Sequence, residues 1–144
     1  MEKYSTFAAL NLKTTTIMEK EQLEFIKKHN VKLTINGNEF KKHFSDDREP
    51  RHVFNCTLKA NGRQYTFEFG QSIARGGEEP SIEDVLECLQ KYDVGTFEDF
   101  CDNYGYDAYD YSSKRIYKAV CREYEAMCRL FGEDALYEMA ELFC

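Results

Sequence analysis

Carboxylates are the commonest reactive side chains here, and between residues 78 and 110 they cluster: Glu78-Glu79, Glu83-Asp84, Glu98-Asp99 with Asp102, then Asp107 and Asp110. Two carboxyls divide acid and base duties only when a cleft holds them in different environments. Two of these acids already have another task. Ser81 with Asp84, and Thr96 with Asp99, each read as a helix start in which the third helical residue reaches back to the cap. The run Asp102–Tyr111 has the composition of a calcium loop but not its spacing of alternating acids, a Gly and a closing Glu.

Nucleophilic catalysis would need a Ser or Cys near a His. The histidines, His29, His43 and His52, all precede the acidic stretch and belong to no motif. Six cysteines (Cys56, Cys88, Cys101, Cys121, Cys128, Cys144) form neither a CxxC nor a zinc-ligand pattern. Four of them fall on apolar faces, where a thiol behaves as a small hydrophobe, and reduced thiols are expected, with Cys144 the exposed and reactive one. The run Gly70–Gly77, GQSIARGG, follows a strand and precedes a helix, and Arg75 is the residue an anion would meet. It matches neither GxxxxGK[ST] nor GxGxxG, so it reads as a plain connection. The expectation is a protein that is not an enzyme, with no catalytic residue, no metal site and no cofactor.

The 144 residues are enough for one core. The formal charge of −7 opposes general binding to nucleic acid or to a membrane surface. That charge is uneven: residues 1–80 are net +2 and residues 81–144 net −9. No apolar run is long enough for a membrane helix, and Phe7-Ala8-Ala9-Leu10 is too short for a signal peptide, so a cytoplasmic protein is expected.

The elements that must position these residues follow from periodicity. Residues 1–17 read as an N-terminal extension and 18–144 as a single domain. A short amphipathic helix runs from Met18 to near Asn30. Val31, Leu33 and Ile35 alternate as a strand, Asn36-Gly37-Asn38 turns the chain, and residues 39–50 form a loop with room for a short edge strand. Asn61-Gly62 is a two-residue hairpin turn that pairs Leu58 with Tyr65, Cys56 with Phe67 and Phe54 with Phe69, while Thr57 meets Thr66 on the polar face. Beyond Pro80, a helix capped by Ser81 stops at Gly95 and one capped by Thr96 stops at Gly105. A long helix spans about Ser113 to Phe131, and a last one follows Gly132. The fold class is α+β: a small antiparallel sheet of about three strands around a central hairpin, with four to five helices packed on one face.

With those residues on the page, the chain resembles a family of small, largely uncharacterised accessory proteins encoded by phages and prophages. The resemblance rests on Phe25-Ile26-Lys27-Lys28-His29 with Val31-Lys32-Leu33, Phe67-Glu68-Phe69-Gly70, Glu79-Pro80, Asp84-Val85-Leu86-Glu87-Cys88-Leu89, Phe97-Glu98-Asp99-Phe100-Cys101, Gly105-Tyr106-Asp107, Ser112-Ser113 and Tyr117-Lys118-Ala119, and covers about residues 18–132. It implies an acidic protein made inside a bacterial host, in a class that includes inhibitors of host defence such as anti-CRISPR proteins. The expected partner is a host defence protein or ribonucleoprotein, for instance a CRISPR effector, in the host cytoplasm. An array of carboxylates can replace phosphates against a basic channel. Glu98, Asp99, Asp102, Asp107 and Asp110 would supply charge, and Tyr106, Tyr109 and Tyr111 the aromatic anchors. Two alternatives stand beside it: a nucleotide-signal binder using Arg75 and Gly76-Gly77, and a regulatory protein touching nucleic acid through Lys41, Lys42, Arg48, Arg51, Lys59 and Arg63.

Overall fold

The computed structural model describes residues 18–42 and 49–144; the N-terminal extension and residues 43–48 lie outside them. Among the described residues the chain is α+β, an antiparallel sheet in the order β1-β2-β3 with five α-helices. The strands are β1 (Lys32–Lys42), β2 (Arg51–Ala60) and β3 (Arg63–Gln71). The helices are α1 (Lys20–Lys28), α2 (Ile82–Cys88), α3 (Phe97–Tyr104), α4 (Tyr111–Phe131) and α5 (Glu133–Leu142).

The hairpin has the expected register at every pair from Ala60↔Arg63 to Phe54↔Phe69. Asn61 and Gly62 sit at φ 54° and 79°, the left-handed geometry that a type I′ turn demands. Asn61 also ties the turn to two helices. Its N–H donates to the carbonyl of His29 just after α1 (2.8 Å), and its Nδ2 donates to the carbonyl of Leu130 in the last turn of α4 (2.8 Å).

Three sequence expectations are corrected. The chain does not turn at Asn36-Gly37-Asn38: β1 runs straight through, absorbing one extra residue in a bulge between Ile35 and Gly37, and continues to Lys42 through what was expected to be loop. The Ser81-capped helix ends at Cys88, well before Gly95. Leu89 and Val94 are drawn into the interior, and the buried Lys91 folds its ammonium back onto the carbonyls of Glu87 (2.7 Å) and Leu89 (3.2 Å), doing the work of a C-cap. The long helix begins two residues earlier than expected, because Asp110 accepts the Ser112 N–H (3.0 Å) as its N-cap.

Two apolar clusters result. The larger lies between the inner face of the sheet and α1, α2, α5 and the second half of α4; Leu58, Leu86, Met127 and Met139 are completely buried there. Phe25 stacks on Phe131 and meets Phe143 edge-on at its centre. The smaller joins α3 to the first half of α4 through Val94, Phe100 and Cys101. Among the described helices, α4 alone enters both.

Candidate docking surface

Residues 93–110 contain Asp93, Glu98, Asp99, Asp102, Asp107 and Asp110 and not one Lys, Arg or His. The structure folds this stretch into a corner made of α3 and the loops on either side of it. Thr96 caps α3 and Asp99 answers, the expected reciprocal pair. Phe97, Phe100 and Cys101 turn inward, and Phe100 stacks with Tyr106 (5.0 Å, 9°) and packs against Tyr117. Tyr117 in turn donates its hydroxyl to the Gly95 carbonyl (2.7 Å), which fastens the loop before α3 to α4.

All eight residues expected to form the surface are exposed. Their freedom differs. Glu98 and Asp102 are one turn apart on α3 and carry no capping bond. Asp99, Asp107 and Asp110 each spend one oxygen on local main chain: Asp107 accepts the Tyr109 N–H (2.9 Å) and Asp110 starts α4. Asp102 and Asp107 both lie close enough to Cys101 to push its thiol up, behind the larger effect of burial. Asp93 and Asp99 similarly raise Tyr117, after its hydrogen bond to Cys121 and its burial. Tyr109 is 98 % exposed and Tyr111 79 %. Tyr106, by contrast, is committed on one face to Phe100. Arg115 lies over the Tyr111 ring at 5.6 Å, and no ion pair among the described residues joins Lys114 or Lys118 to these carboxylates.

Asp93 was not expected at this surface. Its Oδ1 accepts the Gly95 N–H (2.9 Å), and the Asp-x-Gly spacing that makes such a turn is readable in the sequence. Lys91 and Glu123 were also missed. Glu123 accepts the Gln90 N–H (2.6 Å), and burial raises its carboxyl; burial lowers Lys91. Glu123 falls on the apolar stripe of α4, between Val120 and Met127, and an acid in that position is the signal.

The alternatives fare differently. Arg75 is paired with Glu78 and Asp84, each at 3.6 Å, so the cation of the glycine-rich run is already balanced. Arg63 donates to the Arg129 carbonyl (2.7 Å), Lys59 stands opposite Lys32, and Arg48 and the side chains of Lys41 and Lys42 lie outside the described residues. No set of three His, Cys, Asp or Glu side chains among the described residues is placed to hold a metal, and no helix among them is long and apolar enough to cross a membrane.

Comparison of the chain with protein-family models, with curated proteins and with solved structures finds no match.

Proposed function

We propose that the chain is a non-enzymatic, phage-encoded inhibitor of a bacterial defence system, an anti-CRISPR protein in the specific form of the proposal. It acts by docking its acidic corner on a basic, nucleic-acid-binding surface of a host ribonucleoprotein in the cytoplasm. The observation that carries this reading is the acidic corner itself: six carboxylates within eighteen residues, no base within that stretch, and two nearly bare tyrosines at the tip. Clustered carboxylates imitate the charge density of a phosphate backbone, and rigid exposed tyrosines supply contact area at small entropic cost.

The test separates charge from fold. Glu98→Lys with Asp102→Lys leaves every cap intact, so the circular-dichroism melt should match wild type, while capture of the target from a defence-carrying host and protection of an infecting phage should both be lost. Each of Tyr109→Ala and Tyr111→Ala should weaken the captured complex by about 2 kcal/mol. Binding and protection that persist after the charge reversal would refute the mechanism.

A further inference from the structure

α1 and α5 both pack on the larger cluster, a different part of the fold from the smaller one that supports α3. Between them lies an open groove of about 350 Å³. Phe25 and Leu142 form its base, Glu21 and Glu24 line one bank, Glu138 and Glu141 line the other, and Lys28 is the single base on its wall. All four carboxylates are exposed, and among the described residues none of them enters an ion pair. α5 has no Lys, Arg or His over Glu133–Leu142, and its solvent face is Glu133, Asp134, Tyr137, Glu138 and Glu141. Glu133 and Asp134 suit the positive end of that helix, whereas Glu138 and Glu141 approach its negative end, where the dipole opposes them. In the free protein these like charges crowd one groove without relief. The two banks are also tied together. The Gln22 side chain accepts the Glu19 N–H at the start of α1 (2.8 Å) and donates to the Leu142 carbonyl at the end of α5 (2.6 Å).

We propose that this groove seats a basic amphipathic helix of a partner protein. On each bank the two carboxylates stand three residues apart on one helix, which spaces them by close to one turn, about 5 Å. Lysines or arginines three or four residues apart on a docked helix repeat at that same interval, whereas same-side residues of an extended strand lie about 7 Å apart. A helix therefore meets both rows of acids at once, and a strand does not. Its basic side chains lay their methylene stems along the base of the groove and carry their charge out to the carboxylates. The contact is of the helix-in-groove kind, with charge choosing the partner and the apolar stems supplying the buried area. This surface is independent of the α3 corner and of the partner proposed for that corner.

The probe is a helical peptide of leucine and lysine, its lysines flanking a leucine stripe, titrated into the full chain while amide chemical shifts are followed. Binding in the micromolar class is expected, with the shifts centred on α1 and α5. Glu138→Lys with Glu141→Lys reverses one bank and should weaken binding about tenfold or more, with a melt no lower than that of wild type. Glu138→Gln with Glu141→Gln, which removes charge without adding any, should weaken it less. A peptide of the same composition, scrambled so that no helical face is basic, should bind about tenfold more weakly than the ordered one. No binding, shifts confined to the acidic stretch around α3, a charge reversal without effect, or a scrambled peptide that binds equally well would each overturn the proposal. So would binding seen only after residues 1–17 are removed, which would make that extension the occupant. Self-association of the full chain that the same reversal abolishes would also overturn it, by making the occupant a second copy.

Discussion

In the larger cluster Leu58, Leu86 and Met127 are wholly withdrawn from solvent, whereas in the helical corner the best-covered large side chain, Phe100, retains 3 % of its surface and its neighbours Tyr104 and Tyr106 retain far more. Both regions have aromatic residues at helical spacing and near-identical capping boxes at Ser81 and Thr96. The difference lies in layering. The sheet gives every helix packed on it a broad apolar floor, while α3 has only the first half of α4 to lie against. Apolar residues of equal quality therefore yield unequal stability, and the carboxylates fall where the packing is thinnest and water most accessible.

The sharpest way to break this comparison is to hollow out each side. Leu58→Ala should remove about 3 kcal/mol of global stability, seen as a fall in the denaturant midpoint of the whole protein. Phe100→Ala should act locally: hydrogen exchange quickens in α3 while β2 keeps its protection, and the global midpoint moves less than for Leu58→Ala. If both variants shift the whole transition equally, the two clusters are a single cooperative unit. At the next level, Ser81→Ala and Thr96→Ala each lose a cap worth about 1 kcal/mol. The first should register in the global midpoint and the second chiefly in the exchange of α3.

Smaller again is a pH effect from Glu123. Burial holds its carboxyl above the ordinary value of 4.5, so the folded protein keeps a proton that the unfolded chain has released. Stability therefore falls as pH rises from about 4.5 through the raised folded value. Glu123→Gln keeps an acceptor for the Gln90 N–H and should flatten the stability profile over that interval; an unchanged slope would assign the effect to another group. Thiol chemistry gives the mildest probe. A neutral-pH alkylating reagent should label exposed Cys144 and Cys88 in the native protein and spare Cys56, whose thiol burial pushes up to about 11, until the chain unfolds.

Much of this arrangement is legible in the residues, because several local signals agree. At the hairpin, turn chemistry and alternation specify one register, and the structure has it pair for pair. The capping boxes at Ser81 and Thr96 are equally local. What could not be read depended on distant contacts. Gly37 looks like a turn until β2 lies alongside and makes it a bulge. The early end of α2 follows from the burial of Leu89 and Val94 against partners far away in sequence. The exposure of the acidic residues follows their polarity, but the commitment of Tyr106 to Phe100 needed the return of the chain through Gly105.

One further consequence attaches to Asn61. An Asn followed by Gly is the sequence in which a side-chain amide most readily cyclises onto the next nitrogen, ages to aspartate or isoaspartate and releases ammonia. Here the same carboxamide is held by the Leu130 carbonyl and touches the His29 ring, so the native fold shields this Asn-Gly bond. Conversion to aspartate would set a carboxylate against a carbonyl that had received a donor, unfastening the hairpin from α4 while its main-chain bond to His29 stays. Deamidation mapped to Asn61, apart from that at the second Asn-Gly pair, Asn36-Gly37, is thus a built-in record of how long each molecule has spent unfolded.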